Sequence, residues 1–404
     1  MKKFFSEQIT VAIDIGTTKI CVLVALNDDA HTIIGIGKAP SEGLAKGVVI
    51  DIEKTVRSIK QAVKEAELMA DCKIESACIG ISGSHIKSLN SHGMVPIKRG
   101  EIKNSDVAQV IAAARAVTIA EGHQILQVLP QYFIIDNQEK VLNPIGMHGV
   151  RLAVNVHIIT GSITSVHNLI KCCEMAGVRV TDIVLEQLAS AQAVLSADEK
   201  KLGVLMVDIG GGTSDVALFY NNAIAFTKVI PVAGNHFTHD LAVGLHTNLT
   251  EAERIKKEFG SVLWDSQYNE HAEIESMSNS KKIITLSQII TILEARAHEL
   301  LQIVHTEVMA QGLKKNMPAG LVLTGGGSLL VGMQELAHDI FKVPVRIGNP
   351  PLVDYVMVLQ NPIYATGYGL LLCAKKNNDS IATHAGPLVM RIMNRMKSWM
   401  ADFF

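Results

Sequence analysis

Two short turns rich in glycine and threonine lie about half a chain apart, and each begins with an aspartate. The first runs from Asp14 to Lys19 and the second from Asp208 to Asp215. Glycine lets a backbone approach a phosphate closely, hydroxyl side chains donate to its oxygens, and successive N–H groups form an anion-binding concavity. Because Mg²⁺ prefers oxygen ligands and keeps several waters, the leading carboxylate of each turn suits a water-mediated contact with Mg²⁺. The pair of turns predicts that two related domains clamp a nucleotide between them.

The segments around these turns are apolar and strand-like. The first turn joins the runs 9–13 and 20–26, and the second joins 202–207 and 216–220, so both turns are predicted to be hairpin tips. A third glycine segment, Leu323 to Leu330, precedes an amphipathic segment at 333–341, and its glycines suit close packing against a flat base or sugar. Neither the P-loop spacing nor the dinucleotide fingerprint occurs in the sequence.

In this order, the three glycine segments resemble the phosphate and adenosine loops of the actin, Hsp70 and sugar-kinase superfamily. The two connecting helices of that superfamily correspond to Leu185 to Ala191 and to Pro362 to Gly369. Five ordered matches are more specific than any one of them. The resemblance implies an α/β, actin-like fold of two ribonuclease H-like lobes, with ATP and Mg²⁺ bound between them.

The resemblance also implies roles for individual residues. Asp14 and Asp208 would organise Mg²⁺ through water and, with Glu186, form the candidate catalytic set. Glu186 and Gln187 are candidates to position a water for hydrolysis, although both also fit the ordinary polarity of a helix start. The implied nucleotide contacts are Gly16, Thr17, Thr18, Lys19, Gly210, Gly211, Gly212, Thr213, Glu253, Lys256, Gly325, Gly326, Gly327 and Ser328. Glu253 has a second interpretation, because Thr250 followed by Glu253 also matches a capping box at a helix start.

Length, composition and charge agree with this architecture. A chain of 404 residues with 48% apolar residues is long enough for two lobes, each with its own core. The net charge of −2 provides no global attraction for nucleic acid. Six cysteines without Cys-x-x-Cys spacing suit a reducing compartment, and the first eight residues do not form a signal peptide. Because of the cysteines, cytosol is the expected location. No uninterrupted apolar run approaches the ~18 residues of a spanning helix.

Residues 84–161 differ from the rest of the first lobe and predict an inserted helix-and-sheet subdomain. Asn104 or Ser105 is the expected N-cap of its helix, followed by Val107, Val110, Ile111 and Ala114 on one face. Strand-like segments at 125–135 and 152–160 complete it. This position resembles the FtsA family of bacterial division proteins, which carry a different subdomain here from that of actin and Hsp70.

The last thirty residues form a second distinctive feature. A polar segment, 375–386, predicts a flexible linker, and the segment 387–404 predicts an amphipathic helix. The apolar side is represented by Leu388, Ile392, Met396, Trp399 and Phe403, and the cationic side by Arg391, Arg395 and Lys397. Such a helix favours lying in a membrane interface, where basic groups attract anionic lipid. It could instead dock on the body of the protein or be a partner-binding helix.

With this tail the resemblance to the FtsA family covers the whole chain. It implies an ATP-binding, actin-like cytoskeletal protein of cell division that forms homopolymers on the cytoplasmic face of the cell membrane at the division site. The implied partners are the tubulin-like protein FtsZ, other division proteins and anionic lipid, but no nucleic acid, and any ATPase activity would be slow. The alternatives are a pilus-assembly actin-like ATPase and a sugar kinase of the same superfamily.

The sequence predicts the following division of the chain. The first-lobe core comprises 1–83 and 162–201, the inserted subdomain 84–161, the second-lobe base 202–230 and 307–357, the upper subdomain 231–306, the return to the first lobe 358–374, the linker 375–386 and the amphipathic helix 387–404.

Overall fold

The computed structural model describes residues 9–28, 32–98, 100–263, 271–277, 281–352 and 357–378. Its strands are β1 Ile9–Ile15, β2 Lys19–Leu26, β3 Ile33–Pro40, β4 Leu44–Ala45, β5 Val48–Val49, β6 Ser76–Ile81, β7 Lys87–Pro96, β8 His123–Ile135, β9 Gln138–Val141, β10 Arg151–Ser162, β11 Arg179–Leu185, β12 Val204–Ile209, β13 Ser214–Tyr220, β14 Ala223–Ile230, β15 His271–Glu275, β16 Lys281–Thr285, β17 Leu321–Thr324 and β18 Val345–Ile347. Its α-helices are α1 Ile52–Ala70, α2 Asn104–Arg115, α3 Ile163–Met175, α4 Glu186–Val194, α5 Ala197–Leu202, α6 Gly234–Leu245, α7 Leu249–Phe259, α8 Leu286–Ala310, α9 Met333–Phe341 and α10 Ala365–Asn378.

Two five-stranded sheets have the same topology. Their strand orders are β3-β2-β1-β6-β11 and β14-β13-β12-β17-β18. In each sheet the first three strands form an antiparallel meander, and the last two lie parallel to the central strand. The prediction of two related lobes is therefore confirmed, and both glycine turns lie at tips of hairpins, between β1 and β2 and between β12 and β13.

Helix α1 shows how the first lobe is built from its sequence. Asp51 caps its N-terminus by accepting a hydrogen bond from the backbone N–H of Lys54 (3.0 Å), and the buried side chains include Val56, Ile59 and Val63. The helix also covers the outer edge of β3. There the N–H groups of Ile36 and Lys38 donate to the Met69 sulfur (3.3 Å) and to the Glu65 carboxylate (2.9 Å).

The inserted subdomain is a four-stranded antiparallel sheet, β7-β10-β8-β9, covered by α2. It has its own apolar core, in which Phe133 is fully buried. The predicted N-cap was one or two residues too late, because Lys103 occupies that position. The carboxylate of Asp106, the third residue of the helix, accepts a hydrogen bond from the N–H of Lys103 (2.9 Å) and so caps the helix N-terminus.

The upper subdomain of the second lobe contains α6, α7, α8 and the hairpin β15-β16. The predicted capping box at Thr250 is wrong. Helix α7 begins at Leu249, and the Asn248 side chain caps it by accepting from the N–H of Glu251 (2.9 Å). The Glu253 side chain is thereby left available for other contacts.

The end of the chain is described as far as α10, which extends to Asn378 and so into the first four residues of the predicted linker. The predicted amphipathic helix, 387–404, lies outside the described residues. Among the described helices, none combines the length and apolarity needed to cross a membrane.

Candidate functional site

A cavity of about 470 Å³ lies between the two lobes, and all three glycine segments line it. The lining residues include every predicted nucleotide contact except Ser328: Gly16, Thr17, Thr18, Lys19, Gly210, Gly211, Gly212, Thr213, Glu253, Lys256, Gly325, Gly326 and Gly327. Asp14, Asp208 and Glu186 also line the cavity. Residues far apart in sequence are thus brought to one site.

The two hairpin turns contact each other across the cavity. Each is closed by a backbone hydrogen bond of 3.0 Å, from Gly16 N–H to the Lys19 carbonyl and from Gly210 N–H to the Thr213 carbonyl. A Cβ at Gly211 would lie 2.3 Å from Thr18 Cγ2, and one at Gly212 would lie 2.4 Å from Thr17 Oγ1. Because no side chain fits there, the backbone of one lobe packs directly against the hydroxyl residues of the other.

The third glycine segment packs against the second turn. Gly325 has a φ of +78°, and a Cβ there would lie 2.2 Å from Asp208 Oδ1. Glycine is therefore required both for the backbone conformation and for the space. Ser328 is buried and does not line the cavity; its hydroxyl donates to the Gly325 carbonyl (2.7 Å) and closes the segment on itself.

Two aspartates stand at the bases of the hairpin turns. Asp14 lies 3.6 Å from the Lys19 ammonium, which also donates to the Ile363 carbonyl. Asp208 Oδ2 accepts from the Ser190 hydroxyl (2.5 Å) and from the Thr366 hydroxyl (3.1 Å). Burial raises the pKa of both carboxyl groups. Burial opposes the charge of Lys19, but attraction to Asp14 and other groups outweighs it and raises the pKa of Lys19.

Two further carboxyl groups face the same space. Burial raises the pKa of Asp215 to about 7, although the Ser82 hydroxyl donates to its Oδ1 (2.5 Å). Burial, and then the charges of Asp14, Asp215 and Asp208, raise the pKa of Glu186 well above its ordinary value. The electrostatic cost of several buried carboxylates is what a bound cation would relieve.

Helix α7 contributes a cation and a carboxylate to the upper wall. The Lys256 ammonium lies 2.6 Å from Glu253 and donates to the Gly234 carbonyl (3.0 Å) and to the Thr238 hydroxyl (2.8 Å). Burial lowers the pKa of Lys256. These contacts fix α7 to the N-terminus of α6, where Gly234 and Asn235 also line the cavity.

Several lining residues were given no role by the sequence. Asp215 stood inside the second glycine segment, and Thr366 stood inside the second connecting segment, so both were present in recognised motifs. Gly234 and Asn235 carry a weaker signal, a glycine and an amide at the start of the amphipathic helix α6. Gln187 does not line the cavity; it is fully buried, and neither its amide nitrogen nor its oxygen has a hydrogen-bond partner in the part of the chain that the structure describes.

The donor set suits an indirectly held metal ion. Within the described ranges, no group of three or more His, Cys, Asp or Glu side chains could hold a metal ion by itself. Carboxylates on opposite walls of a cavity are instead suited to an ion that keeps most of its waters and shares a bound phosphate.

Comparison with protein families finds matches to two models. The model of the cell division protein FtsA matches residues 205–369, and the model of the SHS2 domain inserted in FtsA matches residues 83–160. The second match falls on the inserted subdomain.

Curated relatives match most or all of the chain. The cell division protein FtsA of Pseudomonas aeruginosa is 42% identical over 99% of this chain and 99% of its own. That of Bacillus subtilis is 40% identical over 92% of this chain and 84% of its own. That of Escherichia coli is 37% identical over 100% of both.

Solved structures share the fold at lower identity. The PilM-PilN type IV pilus biogenesis complex matches with a TM-score of 0.66 and 18% identity, covering 91% of this chain and 98% of that chain. MreB5 of Spiroplasma citri bound to ADP matches with a TM-score of 0.55 and 16% identity, covering 92% of this chain and 98% of that chain. The fold is therefore actin-like, with an inserted subdomain in the first lobe.

Proposed function

The chain belongs to the FtsA family of cell division proteins, and from that premise we propose that it binds ATP with Mg²⁺ between its lobes and forms filaments on the membrane at the division site. One observation carries the nucleotide part of the proposal. Hairpin turns from two lobes whose central sheets share one topology meet at one cavity, with Gly211 and Gly212 packed against Thr18 and Thr17. A phosphate chain placed there would contact both lobes at once.

The cavity suits both the phosphate chain of ATP and the Mg²⁺ ion. Closed glycine turns expose backbone N–H groups, which suit phosphate oxygens. Asp14, Asp208 and Asp215 are buried carboxyl groups with raised pKa values, which suit a hydrated cation between phosphate and protein. Mg²⁺ would supply charge neutralisation for the phosphates.

Glu253 and Lys256 would contact the ribose and adenine, and Gly325 to Gly327 would pack against the nucleoside. The fold neighbour MreB5 is bound to ADP, which supports nucleotide binding by a protein of this fold.

Nucleotide binding would act on the arrangement of the lobes. A ligand that contacts both turns favours the arrangement in which the turns are close, by its difference in affinity for the two arrangements. A filament interface that includes both lobes would then form preferentially in that arrangement. Glu186, on the first connecting helix, is the proposed group for positioning water in slow hydrolysis.

The membrane part of the proposal rests on the sequence of 387–404. An amphipathic helix with basic residues on its polar side binds anionic membranes reversibly. A filament presents many such helices at once and so raises the effective concentration of each near the membrane. The protein would thereby tether FtsZ and the septal ring to the cytoplasmic face of the cell membrane.

Vesicle pelleting tests this function as a whole. We expect the intact chain to pellet with anionic vesicles, and to do so more strongly with Mg²⁺-ATP than without nucleotide. The double variant Trp399→Glu, Phe403→Glu should remain soluble and bind ATP but lose vesicle binding, because charge would enter the apolar side of the helix. A chain ending at Asn378, which keeps all of α10, should behave in the same way. Pelleting of either variant at the level of the intact protein would contradict the membrane proposal.

A further inference from the structure

The inserted subdomain contacts the second lobe through polar side chains that form hydrogen bonds with the edge strand β14. We call Ser88, Asn90, Gln131 and His157 the polar strip. Its three donors to backbone carbonyls are Gln131 to Ile224 (2.7 Å), Asn90 to Ala225 (3.4 Å) and Ser88 to Thr227 (2.8 Å). Among the described strands, β14 lies at the edge of its sheet and pairs there with β13 alone, so these carbonyls would otherwise require water.

His157 lies at the centre of the strip and is 2% exposed. Its Nδ1 lies 2.7 Å from Asn90 Oδ1, and its Nε2 lies 2.9 Å from Thr227 Oγ1. Burial lowers the pKa of His157 to about 4, so the ring is neutral at pH 7. Since an amide oxygen only accepts, Nδ1 carries the proton and Nε2 accepts from the Thr227 hydroxyl. The contact across the lobes therefore depends on one tautomer and one ring orientation.

The same strand leads directly into the nucleotide cleft. Beyond its last residue, Ile230, the chain reaches Gly234 and Asn235, whose N–H groups donate to the carbonyls of Gly210 (3.0 Å) and Gly211 (2.8 Å) in the second glycine turn. A second connection begins at Ser82, just before the inserted subdomain, whose hydroxyl donates to Asp215 at the cleft. The subdomain is thus tied to the second lobe by the polar strip, and the chain just before it is tied there by Ser82.

We propose that the polar strip positions the inserted subdomain according to the state of the cleft, with His157 and Thr227 as the positioning residues. Directional side-chain hydrogen bonds hold one relative orientation of β14 and the subdomain and are lost together when that orientation changes. A movement of the second glycine turn would therefore reach the outer surface of the subdomain through β14. This inference rests on the proposed function, because it takes bound nucleotide as the cause of that movement.

Thr227→Val tests the proposal, because valine keeps the shape of threonine and replaces its hydroxyl with a methyl group that cannot form a hydrogen bond. Hydrogen exchange is measured by mass spectrometry on the full chain with Mg²⁺-ATP, with Mg²⁺-ADP and without nucleotide. In the parent protein, exchange in 87–96 and in 223–230 should change together between these states. In Thr227→Val, nucleotide affinity should stay within about twofold, while the nucleotide-dependent change in 87–96 falls at least by half. Thr227→Ser should restore it.

The matched control is Thr160→Val. Thr160 is also a buried strand threonine, but its hydroxyl bonds to the Lys87 carbonyl (3.3 Å) inside the subdomain, so this variant should keep the full response. Ser88→Ala, at a half-buried position, should have the same effect as Thr227→Val. It provides the test if Thr227→Val does not fold. An equal response in Thr227→Val and Thr160→Val, or no response of 87–96 in a parent protein that binds nucleotide, would overturn the positioning role alone. Absence of nucleotide binding in the parent protein would overturn both this proposal and the proposed function.

Discussion

The Ser190 hydroxyl donates a 2.5 Å hydrogen bond to Asp208 Oδ2, so a helix of the first lobe holds the carboxylate of the second lobe's glycine turn. Both groups are buried, and Thr366 from the second connecting segment joins them. Both connecting helices therefore contact the same carboxylate. Asp208 is the cleft residue that both connections between the lobes share.

Ser190→Ala should weaken the binding of Mg²⁺-ATP by about tenfold, because a hydrogen bond to a charged group contributes on the order of 1.5–3 kcal/mol. Isothermal titration at fixed Mg²⁺ measures this. Ser91→Ala is the control, since Ser91 donates to the Ala114 carbonyl (2.7 Å) inside the inserted subdomain and should leave affinity unchanged. Equal affinities for Ser190→Ala and the parent protein would argue against a role of Asp208 in holding the ligand.

Gly325→Ala should abolish measurable nucleotide binding and lower stability. A methyl group would meet Asp208 Oδ1 at 2.2 Å in a backbone conformation that disfavours alanine by about 1 kcal/mol or more. Gly326→Ala provides the comparison, because a Cβ there would meet Ile363 Cγ2 at an ordinary 3.6 Å. Fluorescence of a labelled nucleotide and a thermal melt of both variants distinguish them. Because Gly326 is also a proposed nucleoside contact, the thermal melt decides the comparison: equal melting temperatures would argue against the packing of the third glycine segment on Asp208.

Asp215→Asn should change how the stability of the nucleotide-free protein depends on pH. The pKa of Asp215 rises from its ordinary 3.8 to about 7 on folding, so its contribution to stability is fully present below about pH 4 and is lost as pH rises through about 7. Asparagine stays neutral at every pH. The variant should therefore gain stability relative to the parent protein between pH 5 and pH 8, by at most a few kcal/mol. Urea unfolding at pH 5, 6, 7 and 8 measures the difference, and a constant difference would contradict the shifted pKa.

Phe133→Ala tests whether the inserted subdomain has an independent core. Phe133 is fully buried in a cluster made of subdomain residues, so its truncation should cost about 3–5 kcal/mol in the unfolding of that unit. Calorimetry should then show the subdomain unfolding before the lobes, while nucleotide affinity at low temperature stays unchanged. A single lowered transition together with lost affinity would show that the subdomain and the lobes unfold as one unit.

The sequence allowed the glycine turns and their flanking strands to be predicted because that signal is local. A hairpin tip depends on glycines between two apolar runs, and both hairpins lie where their residues indicated. Helix starts were less secure, because a cap is decided by one residue. Asn248 rather than Thr250 caps α7. At α2 the N-cap residue is Lys103, and the Asp106 carboxylate accepts a hydrogen bond from its N–H.

Contacts between the lobes could not be predicted from the chain. Ser82 and Asp215 are 133 residues apart, and nothing in their local patterns distinguishes them from other strand-end residues. The same holds for His157 and Thr227, which are 70 residues apart. Such pairs depend on how complete sheets dock, which composition and periodicity do not encode.

The covered sheet edges affect how copies of this protein can associate. Two outer N–H groups of β3 donate to Met69 and Glu65. Carbonyls of β14 accept hydrogen bonds from the polar strip. An open edge is a template on which another chain can add a strand, and such addition leads to aggregates that do not readily come apart. Because these two edges are already occupied, copies of the protein would have to associate through side-chain surfaces there. Contacts of that kind can be made and released repeatedly, as the proposed filaments would require.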